Sequence, residues 1–351
     1  MKKFWWMVLL TVTCALISIK ASAKDNAVVL LYHHVSTSTP KVTSVSPETF
    51  RSHMQYLADN HQILPLADVI KALKNQQPLP ENTVVITFDD GYENIFTQAH
   101  PILKEFDFPY TVFINPPLIG KTSHQLDWQQ ISQMAAEQAT FANHGKQHGH
   151  LLSRENGESK EIWLARVIQD IEDAETLLKD KLGYSLKYFA YPYGEFDKGL
   201  KLRLQEAGYI GFGQQSGAIA SFSDFAALPR FPAAGIYSDL QTLKVKLSSL
   251  AMPVSEVSPD NPKAELPMEN QKLSFAVANQ DISNRQIDCF QNGSVLEKSL
   301  VNQKIIVTLQ TIIQAGRHRI NCTAPSRNES GRYYWYSHPI FIATKKGEWL
   351  D

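Results

Sequence analysis

The sequence predicts an α/β protein in two parts, a distorted β/α barrel followed by a small all-β sandwich. Three observations predict it. From residue 27 to about 250, short apolar runs alternate with amphipathic stretches; near residue 251 a proline-rich stretch breaks that rhythm; beyond it come short strands separated by turn residues. Strand runs that are apolar throughout, with helices between them, point to a parallel sheet covered on both faces. About seven such units suit a closed or nearly closed barrel better than a small open sheet.

The 351 residues open on "MKKFWWMVLLTVTCALISIKASA". Two lysines, an apolar run from Phe4 to about Leu16 and the small residues Ala21-Ser22-Ala23 have the layout of a cleaved export signal, residues 1–23. The run is short for a bilayer span, and no other segment is apolar enough for one. The expected compartment is a periplasm or the exterior. Without the signal the chain holds 31 basic and 35 acidic side chains. So mild an acidic excess excludes nucleic acid as partner, because neutralising phosphates takes concentrated Lys and Arg.

Residues 24–250 form the expected barrel domain. Its strands are "AVVLLYHHV", "VVITF", "YTVFIN", "ATFANHG", "KYFAYPYG" and "YIGFGQ", with helical patterns such as "PETFRSHMQYLADNH" and "SKEIWLARVIQDIEDAETLLKDKLG" between them. Residues 251–266, rich in proline, read as a linker. Residues 267–351 carry five further strand-like runs and form the expected sandwich. Both cysteines left after signal removal, Cys289 and Cys322, fall in it. In an exported protein they pair as a disulfide, two free buried thiols being the alternative. In "YYWYS" the aromatic residues Tyr333 to Tyr336 resemble a sugar-stacking strip, but neighbours in a strand face opposite sides, so core and rim packing is the expectation.

The stretch "VVITFDDGYEN" poses the chemical question. An apolar run ends on adjacent carboxylates, Asp89 and Asp90, whose joint ionisation needs a positive charge nearby. In a parallel barrel, reactive groups gather at the C-terminal ends of the strands. The groups found there are His33 and His34, the aspartate pair, His144 and His148 in "NHGKQHGHL", and Tyr193 in "YPYGEFD". Two histidines at i, i+4 on one face of a helical turn can hold a divalent metal ion, and with one Asp they leave positions open for water or substrate. The set suits Zn²⁺, and Co²⁺, Ni²⁺ and Fe²⁺ accept it as well. His53, His61, His100 and His124 lie on helical or loop segments and read as surface residues.

"TFDDGY", "NHGKQHGHL" and "FAYPYGEFD", in this order, resemble the motifs of the polysaccharide deacetylases of the NodB-homology type, carbohydrate esterase family 4. The resemblance covers about residues 27–235. It implies a distorted β/α barrel, Asp89 as general base, Asp90, His144 and His148 as metal ligands, and the Tyr193 backbone N–H as oxyanion donor. The chain departs from the family pattern in three places: Ala190 stands where the third motif opens with Arg, the Asp-Trp element is not recognisable, and the late Leu-x-His is missing. Arg230, in "LPRFPAAG", can replace the arginine from another strand. "LLYHHV" resembles the first strand of the deacetylases acting on poly-N-acetylglucosamine, which makes His33, rather than His34, the acid.

The expectation is an exported, metal-dependent N-deacetylase of an N-acetylglucosamine-containing polysaccharide. An O-acetyl esterase or small-molecule amidase is the enzyme alternative. The alternative from another class is a glycan-binding protein on a degenerate deacetylase scaffold, with the sandwich docking to glycan or to a partner protein.

Overall fold

The computed structural model describes residues 23–350, so the expected signal segment lies, except for Ala23, outside the described residues. No helix among the described residues is long and apolar enough to cross a membrane. The first domain is built on a parallel sheet of eight strands, seven of them in one row: β1 (Ala27–Tyr32), β2 (Thr83–Phe88), β3 (Tyr110–Ile114), β4 (Ala139–Asn143), β5 (Tyr188–Ala190), β6 (Ile210–Phe212) and β7 (Phe231–Pro232), with the short Gln62–Ile63 paired beside β2. Their order in the sheet is β6-β5-β4-β3-β2-β1-β7. The segment before β7 bridges back to β6 through Phe212 and Leu228, which joins the two edges of the curled sheet into a distorted barrel.

Alternation along the strands separates two cores. Val28, Leu30, Val84, Ile86 and Val112 pack outward against the helices. Val29, Val85, Phe113, Ala142 and Phe212 face inward, with Leu66, Val69 and Ile70 in the same cluster. Those last three come from α2 (Leu66–Lys74); the longest helices are α1 (Pro47–Asn60) and α3 (Lys160–Leu182). Each of the latter two starts where the sequence places a cap: Ser46 accepts from the Thr49 N–H, Ser159 from the Ile162 N–H. α3 stops at Gly183, whose φ of 79° suits a residue without a Cβ.

Half of the stretch expected as a linker, residues 251–266, is strand. Val254–Ser258 pairs antiparallel with Lys272–Val277, and Lys263–Ala264 pairs with Phe341 and Ile342. The prolines misled because edge strands and strand ends tolerate them. The sandwich itself consists of a sheet of six strands and one of four. Cys289 and Cys322 sit directly opposite each other on neighbouring strands and form the disulfide. Its longest strands are Gly316–Pro325 and Tyr333–Ile342, an antiparallel pair. Alternation sorts the aromatic strip. Tyr334 and Tyr336 pack on the sandwich core, while the Trp335 ring meets Phe231 of the barrel edge to face at 5.3 Å.

Two histidines expected at the surface are buried. His53, on the inner face of α1, lies between the Tyr32 hydroxyl at 3.1 Å and the Ser238 carbonyl at 2.8 Å. His100 bonds the Tyr110 hydroxyl at 2.8 Å and reaches Glu137. Each imidazole finds partners for both ring nitrogens, which makes burial tolerable.

Lys246, near the end of the helix Leu240–Leu247, is buried and has no carboxylate partner among the described residues. Its ammonium donates to the Pro232 carbonyl at 2.7 Å and lies over the Tyr237 ring at 4.3 Å. Burial, then Arg319, pushes its pKa down to about 7. An unfolded lysine titrates near 10.4. Between those values the unfolded chain binds the additional proton, so stability must rise with pH. The wild type should gain about 3 kcal/mol between pH 7 and 9.5 relative to Lys246→Met. Denaturant unfolding of both proteins across that range checks it, and parallel pH profiles would refute it.

Candidate active site

At the end of β2 the backbone turns through two successive left-handed residues, Asp90 at φ 73° and Gly91 at φ 66°. A Cβ on Gly91 would come 2.8 Å from Ile114 Cγ2 of β3, so the turn requires glycine there. The turn sends the two carboxylates to different partners, and this removes the puzzle of placing them side by side.

Asp89 is held by Arg230. The guanidinium makes a two-pronged contact with both carboxylate oxygens at 2.7 Å, and both side chains are fully buried. Its Nε donates to the Gly213 carbonyl at 3.0 Å, which fixes the direction of the fork. Arg230 precedes β7, the neighbour of β1, so the barrel's curvature brings it to the end of β2 across 141 residues of sequence. Ala190, where the family motif has Arg, is a buried apolar residue of β5. Burial opposes the charge on Asp89, but Arg230, His144 and His33 outweigh it and hold the carboxyl below its ordinary range.

Asp90 faces the histidines. Its Oδ1 lies 3.2 Å from His144 Nε2 and 3.2 Å from His148 Nε2. The three ligand atoms lie within 4.8 Å of one another. His144 Nδ1 donates to the Ala190 carbonyl at 2.7 Å, so Nε2 bears the lone pair. Asp90 Oδ1 and His144 Nε2 are both buried and have no hydrogen-bond partner among the described residues. Two facing acceptors at this range need a cation, and a divalent ion fits them. Burial lowers the His144 imidazole, yet Asp89 and Asp90 win and raise it, a further sign that the cluster wants positive charge.

The expectation that His144 and His148 share a helical turn is corrected. Residues 144–150 form an irregular loop, with His148 at φ 49°. Two asparagines that sequence reasoning did not single out hold it. Asn115, after β3, donates to the carbonyls of His144 and Gly145 at 2.6 and 3.0 Å. Asn143, the last residue of β4, accepts from the Gly145 N–H at 2.7 Å and donates to Glu175. Both are polar residues directly at a strand's end, the signal that singled out the aspartates.

At the end of β1 the two histidines part company. His33, half-buried, feels Asp90, Asp89, Arg230 and His144; burial leads in holding it below its ordinary value, against the two carboxylates. His34 is buried, stacks on Tyr92 at 3.7 Å, and its Nδ1 accepts from Asn94 at 2.9 Å. Burial, then the neighbouring His33, pushes it down to about 4, so it is neutral in ordinary solution. Tyr193 occupies a left-handed position, φ 57° and ψ 4°, in the turn Pro192–Gly194 after β5. Its ring packs edge-on against His148 at 4.6 Å. The structure thus brings Asp89, Arg230, Asp90, His144, His148, His33 and Tyr193 to one rim of the barrel.

Comparison with known proteins supplies the context. Residues 76–211 match the family model described as polysaccharide deacetylase. A putative polysaccharide deacetylase of Bacillus subtilis, YxkH, is 26% identical over 214 residues, 60% of this chain and 73% of its own. A poly-beta-1,6-N-acetyl-D-glucosamine N-deacetylase of Staphylococcus epidermidis is 28% identical over 228 residues, 59% of this chain and 78% of its own. Among solved structures, a de-N-acetylase from Aggregatibacter actinomycetemcomitans superposes with a TM-score of 0.56 at 20% identity, covering 63% of this chain and all of that one. IcaB from Ammonifex degensii superposes with a TM-score of 0.53 at 23% identity, covering 60% and 92%. At such identity these two show the fold.

Proposed function

Since this chain carries a domain of the polysaccharide deacetylase family, we propose that it is an exported enzyme removing N-acetyl groups from an N-acetylglucosamine-containing polysaccharide. A poly-β-1,6-linked polymer is the first substrate to test. Two features support the reading: the relatives named for that polymer, and a disulfide suited to an oxidising compartment.

The observation that carries it is the division of labour between two adjacent carboxylates. Asp90 joins two imidazole nitrogens in a metal-binding set; Asp89 stays outside that set, ionised by Arg230. A pure binding site has no use for the second, buried charge. The degenerate-scaffold alternative drew on Ala190, and an arginine seated on Asp89 from another strand weakens that argument.

A divalent ion held by Asp90, His144 and His148 would supply a Lewis acid and make water easier to deprotonate. Asp89 takes the proton from the attacking water, since its carboxylate lies beside the set and is kept charged. The Tyr193 backbone N–H donates to the carbonyl oxygen as negative charge builds there. His33, neutral at the outset, takes up the proton that Asp89 has removed from the water and passes it to the leaving amine. Arg230 keeps Asp89 oriented throughout.

The test is acetate release from β-1,6-linked N-acetylglucosamine oligomers, with chitin oligomers and an O-acetyl ester run in parallel. Chelation should abolish release and Zn²⁺ or Co²⁺ should restore it. No release from any of the three by metal-loaded protein would overturn the deacetylase reading in favour of a glycan-binding scaffold.

A further inference from the structure

The sandwich does more than accompany the barrel. Its strand Gly316–Pro325 places Arg317 directly opposite Phe341 of the neighbouring strand. Both residues reach the barrel turn that carries Tyr193. Phe341 packs edge to face on Phe196 at 5.6 Å. Arg317 contacts Glu195 at 3.2 Å and lies over the Tyr193 ring at 5.1 Å. Glu195 is almost wholly buried, and its other oxygen meets His150 Nδ1 at 2.9 Å. His150 in turn stacks flat on Tyr193 at 4.2 Å, the two planes 15° apart. One chain of contacts therefore runs from the sandwich through Glu195 and Tyr193 to the loop bearing His144 and His148.

From this we infer that the sandwich is a working part of the candidate active site, with Arg317 as a positioning residue for the catalytic turn. The physical need is plain. Tyr193 sits in the left-handed region, where a bulky residue persists only if its surroundings hold it there. A buried carboxylate at Glu195 needs a cation that does not come and go, and a guanidinium always bears its charge. Arg317 meets both needs at once, gripping Glu195 with one nitrogen and covering the Tyr193 ring with its flat face. That nitrogen also donates to the Leu350 carbonyl at 2.6 Å, which pins the arginine from behind.

The inference rests on the deacetylase reading for its kinetic arm alone. Full-length Arg317→Met and Arg317→Lys are compared with Glu329→Gln, which breaks a different barrel–sandwich tie, the ion pair to Lys24. A turn that works chiefly in the transition state should cost kcat and leave KM nearly unchanged. Arg317→Met should lose roughly 10–100-fold in kcat, less than outright removal of an oxyanion donor. Arg317→Lys should recover part of that loss, and Glu329→Gln should keep kcat within about twofold of the wild type. Because the Tyr193 ring packs on His148, the visible spectrum of the Co²⁺-loaded protein should shift in Arg317→Met and not in Glu329→Gln. Equal kcat in Arg317→Met and Glu329→Gln, or an unshifted Co²⁺ spectrum, overturns the inference. A shifted spectrum in a protein whose wild type releases no acetate would sink the deacetylase reading and leave the positioning role standing. Should Arg317→Met not fold, Arg317→Lys carries the same comparison.

Discussion

Asp89→Asn is expected to reduce acetate release by ~10²–10⁴-fold while the protein still takes up one divalent ion per chain. The two effects separate because the adjacent carboxylates serve different partners. Asp90 Oδ1 faces His144 and His148, whereas both oxygens of Asp89 are engaged by Arg230. Asparagine keeps the shape and one acceptor for the guanidinium but cannot take a proton from water. Metal content and acetate kinetics measured on the same preparation check it. Loss of the metal along with activity would make Asp89 a ligand rather than a base, and retained activity would remove it from the mechanism.

Arg230→Met should produce the largest loss of stability, about 3–5 kcal/mol, because it strands a fully buried carboxylate. Arg230 is the foremost of the charges that hold the Asp89 carboxyl below its ordinary range against the cost of burial. Taking it away raises that carboxyl. As the proposed base it is then deprotonated only at higher pH, so activity lost at the acid end should return as the solution becomes more alkaline. Denaturant unfolding and a pH–rate profile read the two effects independently. The double variant Asp89→Asn/Arg230→Met should regain part of the stability, since the buried charge leaves with its partner. A single variant as stable as the wild type would show that the ion pair is not what holds this end of the barrel together.

Much of this site could be read along the chain because its chemistry follows a local rule. Asp89, Asp90, His144 and Tyr193 each come just after an apolar strand run, and in a parallel barrel all such positions share one rim. Asn115 and Asn143 obey the same rule and went unnoticed, since an amide that holds a loop looks like any polar residue at a strand end. The helical spacing assigned to His144 and His148 failed for a related reason: the hydrogen bonds from those asparagines, not an i, i+4 ladder, shape the loop.

What the sequence determined by itself is whatever depends on period and proximity: six of the barrel strands with helices between them, the two-cysteine sandwich, the strand ends as the place where the candidate site residues gather. What only the tertiary structure decided depends on closure. Arg230 reaches Asp89 because β7 lies beside β1, and no spacing in the chain records that contact. Arg317 reaches Tyr193 because the sandwich packs on the barrel, 124 residues further along. Val254–Ser258 and Lys263–Ala264, inside the stretch read as a linker, are strands because their hydrogen-bonding partners arrive from elsewhere in the chain. A strand's pattern is written in its own side chains, whereas the charge that balances a buried carboxylate is set by whatever the completed fold places next to it.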